Sequence, residues 1–244
     1  MAEEVPRYKR VLLKLSGEAL MGRAAYGIDP ALLSSLAQEL ASLKKFEIKT
    51  GIVIGGGNIF RGISGVAQGF DRVRADQMGM LATVLNAIAL GEALGQHGVP
   101  TKILSAFEIK GVVEAFVREN ALDYLEEGYF LVFAAGTGCP FFTTDTAAVL
   151  RALEIKAEVM LKATKVDGVY SSDPMKDPKA QKFDHLSYEE VLEKNLRVMD
   201  LTAISLARDN NLPLIVFSMQ KKGNIIKAVC GEKVGTLVGG EPHD

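Results

Sequence analysis

Short runs rich in Val, Ile, Leu and Phe alternate along this chain with amphipathic stretches at helical spacing. That alternation restricts the fold more than any other feature, because strands joined by helices pair in parallel and the helices then cover both sheet faces. Six runs read as strands: Arg10 to Leu15, Lys49 to Ile54, Thr101 to Ser105, Tyr129 to Ala134, Glu158 to Lys162 and Pro213 to Ser218. Val11-Leu12-Leu13 and Ile52-Val53-Ile54 lack polar alternation, as strands buried on both faces do. The expected class is α/β with a mostly parallel central sheet. At 244 residues, with 48% hydrophobic residues and no linker or repeat, residues 1–244 are expected to form one domain.

The first helix is the best marked. Asp29 caps it, Pro30 suits its first turn, and Leu32, Leu33, Leu36, Leu40 and Leu43 follow as a stripe expected in the core. A long helix is expected from about Ala75 to His97, with Met78, Leu81, Leu85, Ile88 and Leu94 as packing positions and Gly98-Val-Pro ending it. Further helices are expected over Val112 to Glu126, Thr146 to Lys156, Tyr188 to Asn195 and Leu201 to Asn210. Ile225 to Val229 and Thr236 to Val238 read as two late strands.

Twenty-eight Lys and Arg against 30 Asp and Glu leave a formal charge of -2, so no chain-wide basic excess points to nucleic acid or an anionic membrane. Any anion must be bound locally. Cys139 and Cys230 form no C-x-x-C pair, and His97, His185 and His243 are scattered and read as surface residues, which argues against zinc chemistry. The start lacks a signal-peptide pattern and no run reaches the apolar length of a membrane span, so the cytoplasm is the expected location.

Ligands of open α/β sheets bind beyond the carboxyl ends of the strands, and four strands here run into polar, mostly glycine-bearing turns. Lys14-Leu15-Ser16-Gly17 offers a cation and free backbone N–H groups to a phosphate, although a strand-end lysine can also simply snorkel. Gly55-Gly56-Gly57, with Arg61 beyond it, allows close backbone approach, positive φ and multi-donor contact to phosphate oxygens. The stretch Ala135 to Asp145 mixes Gly136, Thr137, Gly138, Cys139 and Pro140 with Phe141, Phe142, Thr143 and Thr144. It suits a phosphate or sugar beside an apolar face; equally, the two phenylalanines are core and Thr144 or Asp145 caps a helix. The fourth turn, Lys162 to Tyr170 with Asp173-Pro174 behind it, places two lysines, Thr164 and an aromatic where a nucleoside triphosphate could lie.

Established phosphate signatures are missing. There is no G-x-x-x-x-G-K-[ST], no H-R-D with D-F-G, and no G-x-G-x-x-G.

Taken together, the four turns resemble the amino acid kinase family, in its bacterial UMP kinase branch. The matching segments are Tyr8 to Leu20, Ile54 to Asn58 with Phe60 to Gly62, Asp76 with Met78 to Thr83, Pro140 to Asp145, Leu161 to Gly168, Val191 to Lys194, Val198 to Leu201, Gly231 to Lys233 and Gly235 to Leu237. The resemblance implies a three-layer αβα sandwich that transfers the ATP γ-phosphate to UMP, with Mg²⁺ accompanying ATP. Carried over by position, it implies that Lys14, Arg61, Asp145 and Lys162 serve catalysis, Asp145 by orienting lysines. Lys14, Leu15, Ser16, Gly17, Gly57, Arg61, Thr164, Tyr170 and Asp173 would hold ATP. Gly56, Asp76 and Thr137 to Thr144 would hold UMP, with Asp76 on the ribose hydroxyls. Asp200 also falls on a family position, and no magnesium ligand is assigned.

Two positions depart from or extend the pattern. Cys139 stands where similar enzymes often carry asparagine, so that contact is either lost or supplied by backbone. The loop Gly22 to Gly27 matches the segment tied to GTP activation in some members. GTP activation, UTP inhibition and a homohexamer are implied by resemblance alone. Rival readings are a kinase of the same fold acting on a carboxylate or carbamate, a nucleotide-responsive regulatory protein working through a DNA-binding partner, and a Rossmann dehydrogenase disfavoured by the missing fingerprint.

Overall fold

The computed structural model describes residues 5–22, 24–174, 176–177, 179–196 and 198–240; Arg23 and His243 lie outside them. Nine strands form one sheet in the order β4-β3-β5-β2-β1-β6-β10-β11-β9. The strands are β1 (Arg10–Leu15), β2 (Lys49–Ile54), β3 (Thr101–Ser105), β4 (Glu114–Ala115), β5 (Phe130–Ala134), β6 (Val159–Thr164), β9 (His185–Leu186), β10 (Leu214–Ser218) and β11 (Gly235–Val238). Pairing is parallel throughout except between β10 and β11. A two-stranded antiparallel hairpin of β7 (Val169–Tyr170) and β8 (Lys182–Phe183) stands apart.

Strand parity divides the core. Leu13, Leu15, Ile52, Val132, Leu161 and Phe217 face one layer, which includes α1 (Pro30–Ala41), α3 (Arg72–Gln96) and α8 (Asn224–Val229). Leu12, Val53, Phe133, Met160 and Val216 face the other, with α4 (Arg118–Glu126), α5 (Thr144–Glu154), α6 (Tyr188–Glu193) and α7 (Leu201–Asp209). The short α2 (Gly62–Ala67) packs on α3. This is the three-layer arrangement that the resemblance implied.

Local signals explain most helix starts. Asp29 accepts hydrogen bonds from the N–H groups of Ala31 and Leu32, with Pro30 as the first helical residue. Ser187 and Glu190 form a reciprocal capping box on α6. Asp71 caps α3, which therefore begins three residues before the expected Ala75.

Four expectations fail. The segment from Val112 is not helical up to Val117: it carries the short edge strand β4, in keeping with its β-branched and aromatic residues. Ile225 to Val229 lies in α8, with Ile225, Ala228 and Val229 buried at helical spacing; a short apolar run does not distinguish the two states. Leu32 is 41% exposed, because the stripe on α1 is wider than the surface it covers. Met78, Leu81, Leu85 and Ile88 are likewise exposed, while Leu90 and Leu94 of the same helix are fully buried. By length and composition α3 could cross a membrane, but 56% of its most apolar stretch is buried in the fold.

Candidate active site

Two lysines meet one carboxylate at the carboxyl ends of the central strands. Lys14 and Lys162 are register partners on β1 and β6 and share strand parity with Leu12 and Met160, so both point toward α5. Asp145 lies in the first turn of that helix. Its Oδ1 is 2.8 Å from Lys14 Nζ and its Oδ2 is 2.7 Å from Lys162 Nζ. Lys162 also donates to the carbonyl of Val198 at 2.5 Å.

Burial by itself pushes the Asp145 carboxyl up, but the ammonium groups of Lys14 and Lys162 outweigh it and hold the carboxyl below its usual range. Burial pushes the Lys162 amine down, against the opposing pull of Asp145. Both ammonium groups face Asp145, and the charge of Asp200 also acts on Lys162, so the two cations are held in place by carboxylates.

Thr143, rather than Thr144 or Asp145, caps α5: its hydroxyl oxygen accepts from the N–H groups of Asp145 and Thr146. The hydroxyls of Thr143 and Thr146 donate to Asp200 at 2.5 and 2.9 Å, and Asp200 caps α7. Asp200 thus joins two helix starts beside the lysine pair.

The glycine turn after β2 is built for close approach, not for unusual dihedral angles. Gly55, Gly56 and Gly57 all keep φ outside the left-handed region, against the expectation of positive φ. What excludes a side chain is space: a Cβ on Gly56 would lie 2.9 Å from both Ala82 Cβ and Gly79 O, and one on Gly17 would lie 2.3 Å from Gly55 O. The two phosphate-type turns therefore touch backbone to backbone. Asn86 of α3 holds them from behind, donating to Gly55 O at 2.7 Å and exchanging hydrogen bonds with Asn58, both amides being buried. Arg61 is ion-paired with Glu18, whose other oxygen is 3.0 Å from Lys165 Nζ.

One cleft opens on Lys162, and a second lies against Thr143 and Thr144, next to Asp145 in the chain. The second, of about 370 Å³, is lined by Gly56, Gly57, Arg61, Asp76, Thr137, Phe142, Thr143 and Thr144 among the expected residues, together with Met80 and Thr83. Gly138, Cys139, Pro140 and Phe141 lie on the same loop but do not line it. Phe141 and Phe142 are 65% and 49% exposed, so the reading of both as core is wrong. Phe141 has φ of 72° and donates its N–H to Asp76 Oδ2 at 2.8 Å; Arg72 Nε donates to the same oxygen at 2.8 Å, and its guanidinium stands over the Phe141 ring. At Cys139 the loop contacts run through backbone: its N–H donates to the Thr137 hydroxyl, which donates to the Cys139 carbonyl.

The other cleft, of about 600 Å³, is lined by Lys162, Thr164, Tyr170 and Asp173 over an apolar floor of Leu196, Val198 and Val216. Thr236 of β11 ties this wall to the sheet, its hydroxyl accepting from Val169 N at 2.8 Å and donating to Phe183 O at 2.5 Å. Tyr170 donates to Asp167 at 2.6 Å. Leu15 is fully buried and serves packing, while Ser16 and Gly17 lead from β1 into a 3-10 turn over Gly17–Leu20.

Sequence reasoning missed Arg72, Thr83, Asn86 and Glu18. Glu18 and Thr83 lie inside the matching segments but carry no role there, and Arg72 left a trace in its four-residue spacing from Asp76. Glu18, Thr83 and Asn86 act across contacts that strand and helix patterns do not reveal.

Residues 9–218 match the model of the amino acid kinase family. The chain belongs to the amino acid kinase family. The chain is 54% identical over 231 residues to the uridylate kinase of Porphyromonas gingivalis (strain ATCC BAA-308 / W83), covering 95% of this chain and 97% of that one. Its fold superposes on the crystal structure of UMP kinase from Bacillus anthracis with a TM-score of 0.92 at 39% identity, covering 95% and 96% of the two chains. For UMP kinase from Ureaplasma parvum the values are 0.90, 37%, 96% and 100%. Uridylate kinase from Archaeoglobus fulgidus is more distant, at 0.73 and 30%, covering 93% and 99%.

Proposed function

We propose that this member of the amino acid kinase family is a nucleoside monophosphate kinase that transfers the γ-phosphate of ATP to UMP, giving UDP and ADP. The observation that carries this reading is the buried Lys14–Asp145–Lys162 group, with Lys162 lining one cleft and Thr143 and Thr144, next to Asp145 in the chain, lining another. The acceptor is already a phosphate, so little proton abstraction is needed and catalysis reduces to alignment and charge neutralisation. Asp145 is committed to both ammonium groups and acts by orienting them.

The larger cleft takes the nucleoside end of ATP, at Thr164, Tyr170 and Asp173, and the phosphates reach past Lys14, Ser16 and Gly17 to Gly57 and Arg61, which line the smaller cleft. The smaller cleft takes UMP, with Asp76 on the ribose and the loop from Thr137 to Thr144 around the base and phosphate. The N–H groups of the touching turns and the two lysines then surround the moving phosphoryl group, where charge spreads in the transition state. Mg²⁺ would arrive on the ATP phosphates and supply further neutralisation of their oxygens. Among the described residues no group of three or more His, Cys, Asp or Glu side chains is placed to hold a metal, and the donor set therefore fits a cation carried mainly by substrate phosphates.

Residues 1–244 are read as one catalytic unit acting in the cytoplasm in pyrimidine nucleotide synthesis. Family resemblance further supports a homohexamer with GTP as activator and UTP as inhibitor. The exposed Met78, Leu81, Leu85 and Ile88 on α3 offer an apolar surface for a second copy of the chain.

The test is ADP release with Mg²⁺ and ATP, comparing UMP, CMP, AMP, dUMP, acetylglutamate, aspartate and bicarbonate with ammonia. Turnover with UMP well above the others, forming UDP, is expected. Activity on a carboxylate or carbamate instead would keep the fold and discard this substrate.

A further inference from the structure

The loop that walls the smaller cleft begins and ends on residues held in the left-handed region without being glycine: Ala135 at φ 61° and Phe141 at φ 72°. Such residues stay there only when their surroundings hold them. Both are held by α3. Asp76 takes the N–H of Phe141, and seven residues along the helix, two turns away on the same side, the Thr83 hydroxyl oxygen takes the N–H of Ala135 at 2.8 Å. The Thr83 hydroxyl proton is directed to the carbonyl of Met80 at 2.6 Å, which orients its oxygen toward Ala135. Thr83 is 3% exposed and Ala135 fully buried, so water does not replace this bond when it is lost.

We propose that Thr83 is a positioning residue for the acceptor nucleotide. Its hydroxyl sets the backbone of Ala135 and, through it, the course of Gly136 and Thr137 along the cleft wall. Ala135 is followed by Gly136, also left-handed at φ 60°, and accepts the N–H of Gly138 at 3.0 Å, so the direction of the loop is decided at this residue. Thr83 also lies against the glycine turn, its backbone N being 3.1 Å from where a Cβ on Gly56 would sit, and both residues line the smaller cleft, so the effect falls on the substrate of that cleft. This inference rests on the reading of the smaller cleft as the UMP site.

Thr83→Val removes the hydroxyl at nearly constant shape, and Thr83→Ser keeps it. The expected result is a KM for UMP raised about tenfold in Thr83→Val, with the KM for ATP within about twofold of wild type and Thr83→Ser close to wild type in both. Amide hydrogen exchange over residues 134–142 is expected to quicken in Thr83→Val only. An unchanged KM for UMP in folded Thr83→Val, or equal loss in both variants, overturns the inference. Unchanged exchange in that segment overturns it as well, and does so independently of substrate. A wild-type enzyme that ignores UMP overturns the substrate reading instead, and the exchange comparison still decides whether Thr83 holds the loop.

Discussion

Lys14 Nζ stands 2.8 Å from Asp145 Oδ1, joining the fifth residue of a central strand to the first turn of a helix more than 130 positions later in the chain. The contact ties a buried lysine to the carboxylate that also holds Lys162. Lys14→Ala is expected to lower kcat by about 10²-fold or more, the cost of removing one fixed electrostatic stabiliser. The fold should survive, because Asp145 keeps Lys162 as partner. Turnover beside circular dichroism melting checks both; unchanged kcat removes Lys14 from the mechanism.

The burial of Lys162 sets a pH dependence. Its folded pKa lies below the ordinary 10.5, so as pH rises it loses its proton, and with it the charge needed for transfer, before an exposed lysine would. The alkaline limb of kcat/KM should therefore fall below pH 10.5. Lys162→Arg should move that limb upward, since guanidinium stays charged. A limb that stays in place in an active arginine variant assigns it to another group.

Asp145 bears on the acid side. Its folded pKa is depressed, so its contribution to stability is present above the ordinary carboxylate value and is lost as pH falls through the depressed one. Asp145→Asn should make urea stability above pH 5 lower than wild type and flatten its decline in acid. Parallel acid curves for the two proteins would show that the carboxylate is not coupled to folding in this way.

Asp76 receives the Phe141 N–H and the Arg72 guanidinium on a single oxygen. Asp76→Asn weakens that junction and removes the charge expected at the ribose, so the KM for UMP should rise about tenfold with the KM for ATP little changed. Initial rates with each substrate varied in turn read the split, and an effect confined to ATP would reverse the assignment of the clefts.

Gly17 is the point where the two phosphate-type turns touch. Gly17→Ala puts a Cβ 2.3 Å from Gly55 O and 2.5 Å from Asn58 Oδ1, an overpacking cost of about 1–3 kcal/mol. A lower urea midpoint together with a loss of kcat is expected. Full kcat in the folded variant would mean that the apposition serves packing only.

Much of this architecture is determined locally. The runs around Leu13, Ile52, Val132, Leu161 and Ile215 are short, apolar and bounded by polar turns, the pattern of strands buried on both faces, and Asp29-Pro30 marks a helix start by capping chemistry alone. The glycine-rich turns could be located because a strand end followed by missing side chains is a local property, and Lys14, Asp145 and Lys162 could be named from the motifs they sit in. Short segments were not determined in this way. Val112 to Val117 and Ile225 to Val229 are apolar runs whose state depends on what they pack against, and they fell to an edge strand and a helix respectively.

Only the tertiary structure decided how the site is held. Register and parity put Lys14 and Lys162 on one face, α5 delivers Asp145 between them, and the packing of α3 brings Asp76, Thr83 and Asn86 against two loops distant in sequence. Such contacts depend on side chains meeting across layers rather than on their neighbours along the chain. A buried hydroxyl on a helix therefore looks like ordinary packing until the backbone N–H it accepts is in place.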